Sequence, residues 1–303
     1  MEVSVNILKK IRSLFKKDDY CPLTMEYFND KYREVNDHVE YRYNQIRWFM
    51  LSLHNHLDIA TQDILISQNF VKKHYIALET EHKVALESND HLFPFGTKND
   101  NTRYPRFVKK CETLFDFDRE LKFLDLGCSG GGMVLDACLR GHIGIGLEGS
   151  NYSLINQRAE WRVIPNNLFT CDISKDFRLY DIRNNESVEF DIITAWEVLE
   201  HLTEKELNIL LKTIYNHLSP DGYFICSISL VDSFSPGSYI NLHHTVKPKE
   251  WWKEFFEKKS FVIIDNLFDI NDFARGSGNN SVCWGEFVES EILNSVCFVL
   301  KKG

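Results

Sequence analysis

The sequence predicts an α/β fold with a mostly parallel sheet, covered by helices on both faces and preceded by an N-terminal helical region. From residue 107 onward, short apolar runs typical of buried strands alternate with helical patterns. One such run, 123–126, leads directly into the glycine-rich stretch 127–132 and a further helical pattern. Upstream, apolar side chains recur at intervals of three and four residues, which is typical of helices. We therefore divide the chain into a helical region, 1–106, and an α/β domain, 107–303.

The composition is that of an ordinary globular protein, with 44% hydrophobic and 26% charged residues. A net charge of −9 and a pI of about 5.7 provide no overall basic surface, which counts against a nucleic-acid partner. The eight cysteines contain no C-x-x-C pair or zinc spacing. Because the chain also lacks a secretory signal and an apolar run long enough to span a bilayer, we expect reduced cysteines and a cytoplasmic location.

Residues 1–17 form a basic amphipathic segment. Val5, Leu8, Ile11 and Phe15 recur at helical spacing, and five lysine or arginine residues accompany a single glutamate. Such a segment can contact an anionic membrane surface from the cytoplasmic side. It can equally be a helix that packs on its own domain or on a partner subunit, and the sequence leaves the oligomeric state open.

The alternation from residue 107 onward gives specific boundaries for the elements. Thr203 and Glu206 form a T-x-x-E capping box, which predicts the start of one helix. The strands are predicted at 123–126, 143–147, 168–171, 190–195, 223–228, 261–264 and 296–300. The helices are predicted at 60–68, 71–87, 107–115, 133–140, 150–161, 203–218 and 248–258.

The stretch 123–148 reads as strand, glycine turn, helix, strand and acid, which is half of a nucleotide-binding βαβ unit. Glycines let the turn approach a ligand without a Cβ in the way, and the following helix start presents unpaired N–H groups. Glu148, at the end of the second strand, suits the two hydroxyls of a ribose. Asp125 would repel a pyrophosphate but would attract an ammonium or sulfonium group. It therefore counts against a dinucleotide and favours a cofactor that carries a positive charge.

The run LDLGCSGGG, residues 124–132, resembles motif I of the class I S-adenosylmethionine-dependent methyltransferases, with Ser129 where the family usually has glycine. The resemblance covers about 111–303 and implies a Rossmann-like sheet of seven strands, the last antiparallel. It implies S-adenosylmethionine as cofactor, with Glu148 at the ribose and Asp172 at the adenine amino group. The cofactor-binding residues that we expect are Asp125, Gly127, Ser129, Gly131, Glu148, Asp172, Ile173 and Glu197.

In this family the segment before the first strand often closes over the cofactor. Residues 89–106 are rich in turn formers and polar side chains, so they are either such a cover or a simple linker. If they are a cover, Arg103 or Arg106 would meet the cofactor carboxylate, and residues 99–101 would meet substrate hydroxyls.

Acids and histidines follow two strands that are neighbours in this fold. Glu197, Glu200 and His201 are spaced to share one face of a helical turn, and His243 follows the next strand. The pattern E-x-x-E-H with a later histidine resembles metal-dependent O-methyltransferases, namely the small-RNA 3′-terminal and the ubiquinone-biosynthesis enzymes. This resemblance implies a divalent cation, Mg²⁺ or Mn²⁺, held by these four residues. The alternative is a metal-free general base, His201 or His243, with Glu200 beside it.

Three functions are consistent with these patterns. The first is an O-methyltransferase acting on a hydroxyl of a sugar, a surface glycan or another small hydroxylated molecule, and the basic segment 1–17 would suit work at the inner membrane face. The second is an RNA 2′-O-methyltransferase, which the E-x-x-E-H pattern supports and the acidic charge opposes. The third is a regulatory protein that binds S-adenosylmethionine without catalysing a reaction.

Overall fold

The computed structural model describes residues 71–92, 94–116, 118–234, 239–269, 272–274 and 295–303, all within one compact unit, Gln62–Gly303. The basic segment 1–17 and the helices predicted upstream of residue 71 lie outside these residues. In the ranges just given, no helix combines the length and apolar character needed to cross a membrane.

The described part of the chain alternates strands and helices, as the sequence predicts. The strands are β1 (Ile76–Glu79), β2 (Lys122–Leu126), β3 (Ile143–Glu148), β4 (Leu168–Thr170), β5 (Arg178–Asp181), β6 (Glu186–Ser187), β7 (Phe190–Trp196), β8 (Leu218–Ser229), β9 (Phe261–Ile263) and β10 (Ser295–Lys302). The α-helices are α1 (Asn89–Leu92), α2 (Phe95–Asn99), α3 (Pro105–Glu112), α4 (Gly132–Leu139), α5 (Tyr152–Ile155), α6 (Glu204–His217) and α7 (Lys249–Glu257). Two 3-10 helices, Ala159–Trp161 and Leu199–His201, complete the set.

Seven strands form one mostly parallel sheet in the order β4-β3-β2-β7-β8-β10-β9. The first five run parallel to one another, whereas β10 lies antiparallel between β8 and β9, with Phe298 opposite Cys226. Every residue of β7 is buried, as expected for a strand covered on both faces. This topology confirms the predicted fold class, including the antiparallel last strand.

The two faces of the sheet carry separate apolar cores. Ile193 of β7 packs with Leu210 of α6 and Trp252 of α7. Its neighbour Ile192 belongs to the other core, together with Phe107 of α3. Side chains alternate between the faces of a strand, so one buried strand supplies both layers. Because β2, β3, β7 and β8 run parallel, their carboxyl ends share one edge of the sheet.

A second, three-stranded antiparallel sheet corrects the helix predicted over 71–87. Here β1 pairs with β5, and β5 pairs with β6. His217 attaches this sheet to α6, because its Nδ1 lies 2.7 Å from Val188 O and its Nε2 accepts the Leu179 N–H at 3.3 Å. The helical spacing was misleading because β1 is short and is stabilised by pairing with a strand far along the chain.

The helix predicted over 150–161 is also interrupted. It is divided into α5 and the 3-10 helix Ala159–Trp161. Gln157, between these two elements, and Ala159, the first residue of the 3-10 helix, both have a φ of 49°. Left-handed backbone of this kind ends a right-handed helix. By contrast, the predicted capping box is present: Thr203 N donates to Glu206 Oε2 at 2.9 Å, and Glu206 N donates to Thr203 Oγ1 at 3.4 Å. It fixes the start of α6 directly after the 3-10 helix that carries Glu200 and His201.

Candidate active site

The glycine loop between β2 and α4 is held against the end of β3. The backbone N–H groups of Gly127 and Cys128 both donate to Leu147 O, at 2.8 and 3.0 Å. Gly127 has a φ of 72°, and a Cβ there would lie 2.5 Å from Val198 Cγ2. Glycine is therefore required by both the backbone conformation and the space. Gly131 closes the loop, with its N–H donating to Cys128 O at 2.7 Å.

Glu148 ends β3 and holds the loop from the other side. Its Oε2 accepts the Ser129 N–H at 2.7 Å, and its Oε1 accepts the Ser150 N–H at 3.0 Å and the Thr97 hydroxyl at 3.3 Å. The carboxyl is buried, and this burial raises its pKa despite the hydrogen bonds. A carboxylate accepts about four hydrogen bonds, so the residue can both hold the loop and meet a ribose hydroxyl.

Ser129, the departure from the usual motif, has a structural role here. It adopts a left-handed φ of 48°, and its hydroxyl lies 3.2 Å from Thr97 O and 2.9 Å from Asp100 O. Its own carbonyl accepts the Trp161 Nε1–H at 2.8 Å. The serine therefore connects the glycine loop to a segment that precedes β2.

The remaining cofactor residues predicted from motifs lie at the same edge of the sheet. Asp125 of β2 accepts the Thr194 hydroxyl of neighbouring β7 at 2.7 Å. Asp172 follows β4, and its Oδ1 accepts the N–H and the hydroxyl of Ser174 at 3.0 and 2.6 Å. Ile173 beside it is buried. The structure thus brings the glycine loop, both strand-end acids and Asp125 together.

Residues 82–92 and 94–104, which we call the covering segment, cross this edge of the sheet. His82 O accepts the Asp172 N–H, and Ala85 N donates to Gly149 O, both at 2.9 Å. Thr97 reaches Glu148, as described above. The covering segment therefore contacts the ends of β3 and β4 and the glycine loop. The sequence identified a candidate cover from residue 89 onward, so only residues 82–88 of the segment were not anticipated.

The two arginines expected to meet a cofactor carboxylate are paired with acids of the protein itself. Arg103 lies 2.6 Å from Asp136, a buried residue of α4, and 3.8 Å from Glu160. Arg106 lies 3.0 Å from Asp272. These ion pairs attach the covering segment and α3 to the domain, and a contact of either arginine with a cofactor carboxylate stays a prediction.

A second group of polar residues lies where β7 and β8 end. Ligand atoms of Glu200, His201 and His243 all lie within 4.8 Å of one another, and we call these three residues the acid–histidine cluster. The rings of His201 and His243 are edge to face, with centroids 4.6 Å apart. The backbone joins the two loops, since Glu200 O accepts the N–H groups of His244 and Thr245 at 2.8 and 2.9 Å.

Glu200 is completely buried, and this burial, with the nearby charge of Glu197, raises its pKa to about 8. Its Oε1 accepts the Ser229 N–H at 2.9 Å, whereas no group in the described part of the chain donates to Oε2. A buried carboxyl oxygen of this kind suits a cation or an acceptor hydroxyl.

Glu197, predicted as a fourth cation ligand and as a cofactor contact, is not a member of the acid–histidine cluster. It has a φ of 55°, and its N–H contacts the carbonyl and the hydroxyl of Ser227 at 3.0 and 3.1 Å. A left-handed backbone at a non-glycine residue is a strained conformation typical of functional sites. The charge of Glu197 raises the pKa values of Glu200 and His201.

The two histidines of the cluster have opposite pKa shifts. Burial lowers the pKa of His201, but the contact with Asp90 and the charges of Glu200 and Glu197 outweigh it and raise the pKa to about 9. His201 Nδ1 lies 2.8 Å from Asp90 Oδ2 in α1. Burial and the neighbouring His201 lower the pKa of His243, whose Nδ1 lies 2.6 Å from Val231 O. At neutral pH the cluster therefore holds one charged and one neutral imidazole.

Asp90 is the site residue that sequence reasoning missed. It lies in the covering segment, far along the chain from His201, and belongs to no motif. The nearby sequence offers only a helix-start pattern: the Ser88 hydroxyl accepts the Asp90 N–H at 3.2 Å and helps to start α1. This pattern does not predict a contact with His201.

A model of the methyltransferase domain family matches residues 98–273, which is more than half of the chain. The chain belongs to the methyltransferase domain family. The match includes the glycine loop, the strand-end acids and all three members of the acid–histidine cluster. The cofactor of this methyltransferase is S-adenosylmethionine. We call the glycine loop, Asp125, Glu148 and Asp172 the cofactor half of the site, and their contact with the cofactor stays a prediction.

Two curated relatives show how far the similarity reaches. A carboxy-S-adenosyl-L-methionine synthase of Haemophilus ducreyi is 27% identical over 149 residues, covering 47% of this methyltransferase and 59% of that protein. A ubiquinone biosynthesis O-methyltransferase of Bartonella tribocorum is 27% identical over 173 residues, covering 51% of this chain and 65% of that protein. The alignments thus span less than two thirds of either relative. A solved S-adenosylmethionine-dependent methyltransferase from Clostridium acetobutylicum is 16% identical, with a TM-score of 0.44 over 67% of this chain and 92% of that one.

Proposed function

We propose that this methyltransferase transfers a methyl group from S-adenosylmethionine to an oxygen of a hydroxylated acceptor, a sugar, a glycan or another small molecule. The observation that carries the proposal is the acid–histidine cluster, Glu200, His201 and His243. It lies at the ends of β7 and β8, beside the cofactor half of the site, where the acceptor meets the methyl group in this fold. Oxygen nucleophiles need such groups because a hydroxyl must lose its proton as it attacks.

In the transfer, a lone pair of the acceptor oxygen attacks the methyl carbon, and the carbon–sulfur bond breaks with its electrons remaining on sulfur. The acceptor proton passes to a base in the cluster. In the protein without a cation, His243 is suited to this role because its lowered pKa leaves the imidazole neutral at physiological pH. His201 carries a charge under the same conditions and therefore orients and polarises the acceptor oxygen.

We further propose that the cluster holds a divalent cation. One buried carboxyl oxygen of Glu200 and two imidazoles form a mixed donor set that suits Mg²⁺, Mn²⁺ or iron better than zinc. A bound cation would replace the protons that Glu200 and His201 carry because of their raised pKa values. It would supply Lewis-acid chemistry, binding adjacent acceptor oxygens and lowering the pKa of a hydroxyl.

The two relatives suggest different chemistry for the cofactor. The name of the first refers to synthesis of a carboxylated S-adenosylmethionine, whereas the second is named as an O-methyltransferase. The acid–histidine cluster favours O-methylation, because it offers a base and a cation site for an acceptor hydroxyl. RNA remains the less favoured acceptor because the chain is acidic, and membrane contact through residues 1–17 stays a proposal.

The test is an acceptor screen with methyl-labelled S-adenosylmethionine against vicinal diols, phenols, lipid-linked glycans and RNA 3′ ends. We expect label on the oxygen of a non-nucleic-acid acceptor, loss of transfer with a chelator and recovery with Mg²⁺ or Mn²⁺. Full transfer by metal-free protein would eliminate the cation and leave His243 as a plain base. Label on RNA alone, or mass-spectrometric detection of a carboxylated cofactor, would contradict the proposed acceptor.

A further inference from the structure

Both imidazoles of the acid–histidine cluster have their Nδ1 atom against an oxygen outside the cluster. For His243 this oxygen is the carbonyl of Val231, at 2.6 Å, and for His201 it is the carboxylate of Asp90, at 2.8 Å. An imidazole whose Nδ1 is occupied presents only Nε2 to a substrate or a cation. The two contacts therefore orient both rings in the same sense, one through the backbone and one through an acid.

Asp90 differs from the Val231 carbonyl because it comes from the covering segment. That segment also carries Thr97, whose hydroxyl donates to Glu148, and Asp100, whose carbonyl accepts from Ser129. One stretch of chain thus contacts the cofactor half of the site and His201 together. Asp90 is 39% exposed, so neither packing nor burial accounts for its place beside the ring.

We propose that Asp90 is a positioning residue for His201: its carboxylate accepts the Nδ1 proton and leaves Nε2 for the cation or the acceptor. The inference rests on the proposed function, since it assumes that His201 acts in the cluster. The oxygen is at hydrogen-bonding distance but off the N–H direction, so a small rotation of either group completes the bond. Carboxylates behind ligating histidines fix the ring in this way and alter metal affinity by about 10–100-fold.

The covering segment also couples binding of the cofactor to binding of the cation. A cofactor that contacts Glu148 and the glycine loop also stabilises the segment that delivers Asp90. Binding of S-adenosylhomocysteine should therefore strengthen binding of the cation, and Asp90 should carry much of that coupling.

The experiment is calorimetric titration of the full chain with Mn²⁺, with and without S-adenosylhomocysteine. Asp90→Ala should weaken Mn²⁺ binding by about 10–100-fold, and Asp90→Asn, whose amide oxygen still accepts the bond, should weaken it less. Glu87→Ala is the matched control, because it removes the same charge from an exposed position of the same segment. It should leave Mn²⁺ affinity unchanged. If Asp90→Ala binds Mn²⁺ as wild type does, or loses only S-adenosylhomocysteine affinity, Asp90 is not a positioning residue.

A metal-free measurement separates this inference from the proposed cation. In histidine-labelled protein, the Nδ1 proton of His201, assigned with a His201→Gln variant, should give a hydrogen-bonded signal that Asp90→Ala abolishes and Glu87→Ala retains. If wild type and Glu200→Ala bind Mn²⁺ equally, the cation proposal fails while this signal still tests Asp90. A His201 signal that is unchanged in Asp90→Ala would overturn the inference regardless of metal.

Discussion

The cofactor half of the site and the acid–histidine cluster, which we propose as the acceptor half, satisfy their polar groups in different ways. In the cofactor half, Glu148 accepts three hydrogen bonds from the glycine loop, the following turn and Thr97, and Asp125 accepts one from Thr194. In the acceptor half, Glu200 is completely buried with one hydrogen bond from Ser229, next to two imidazoles with opposite pKa shifts. Both carboxyl oxygens of Glu148 are hydrogen-bonded, whereas Glu200 Oε2 has no donor among the residues that the structure describes.

This difference predicts that the first half determines cofactor affinity and the second determines turnover. Acids that lie in strands and are already hydrogen-bonded give affinity and orientation, since their partners need no rearrangement on binding. Glu148 is also buried with a raised pKa, but its oxygens are hydrogen-bonded, whereas Glu200 combines a raised pKa with an oxygen that has no donor among the described residues. The second combination is typical of groups that exchange protons or bind cations. Substitutions in the two halves should therefore affect different measured quantities.

The largest effect is expected from Glu200→Gln. The amide keeps the shape and the contact with Ser229 but removes a negative ligand and proton site, so kcat should fall by about 10²–10⁴-fold. S-adenosylhomocysteine affinity, measured by calorimetry, should stay close to that of wild type. Glu204→Gln, at an exposed position shortly after the cluster, is the control and should retain normal turnover. A parallel loss of cofactor affinity in Glu200→Gln would erase the distinction between the halves.

The opposite pattern is expected from Glu148→Ala. Its removal leaves the Ser129 and Ser150 N–H groups without their acceptor and takes away a ribose contact, which costs about 1–3 kcal/mol of cofactor binding. Turnover at saturating cofactor should be affected less than affinity. Unchanged S-adenosylmethionine affinity in a calorimetric titration would rule out Glu148 as a ribose ligand.

The two halves also differ in how well the sequence predicts them. The glycine loop, Asp125 and Glu148 lie within one short stretch whose spacing is dictated by a single strand–turn–helix–strand unit, so their arrangement could be read from residues 123–148. The acid–histidine cluster requires two loops to meet, and only the order of β7 and β8 predicts this. Asp90 could not be predicted at all, because its contact depends on how the covering segment folds back over the sheet.

The small sheet was missed for a similar reason. The pairing of β1 with β5 joins segments far apart in the chain, and neither strand has a strong alternating pattern alone. By contrast, the capping box at Thr203 was predictable because both of its partners lie within one helical turn.

The pH dependence of stability tests the acceptor half directly. The pKa of Glu200 is raised from 4.5 to about 8 and that of His201 from 6.5 to about 9, so the metal-free folded state binds more protons than the unfolded state. The stabilisation from both groups is fully present at low pH and is lost as the pH rises from about 4.5 to 8 for Glu200 and from about 6.5 to 9 for His201. The Tm of metal-free protein should fall over this range, and less steeply in Glu200→Gln. An identical slope in both proteins would show that Glu200 does not titrate as its burial predicts.

The smallest effect is expected at Ser129, where two contributions oppose each other. Ser129→Gly restores the usual motif and relieves a left-handed φ of 48°, which favours folding by about 1 kcal/mol. It also removes the hydroxyl, whose single proton is shared between the carbonyls of Thr97 and Asp100 and is worth about 0.5–1.5 kcal/mol. The free energy of unfolding, from urea denaturation, should therefore change little. Ser129→Ala removes the hydroxyl and keeps the backbone strain, so it should be the less stable of the two variants. If the alanine variant matches wild type, the hydroxyl does not hold the covering segment to the glycine loop, and the serine only occupies the place of a glycine.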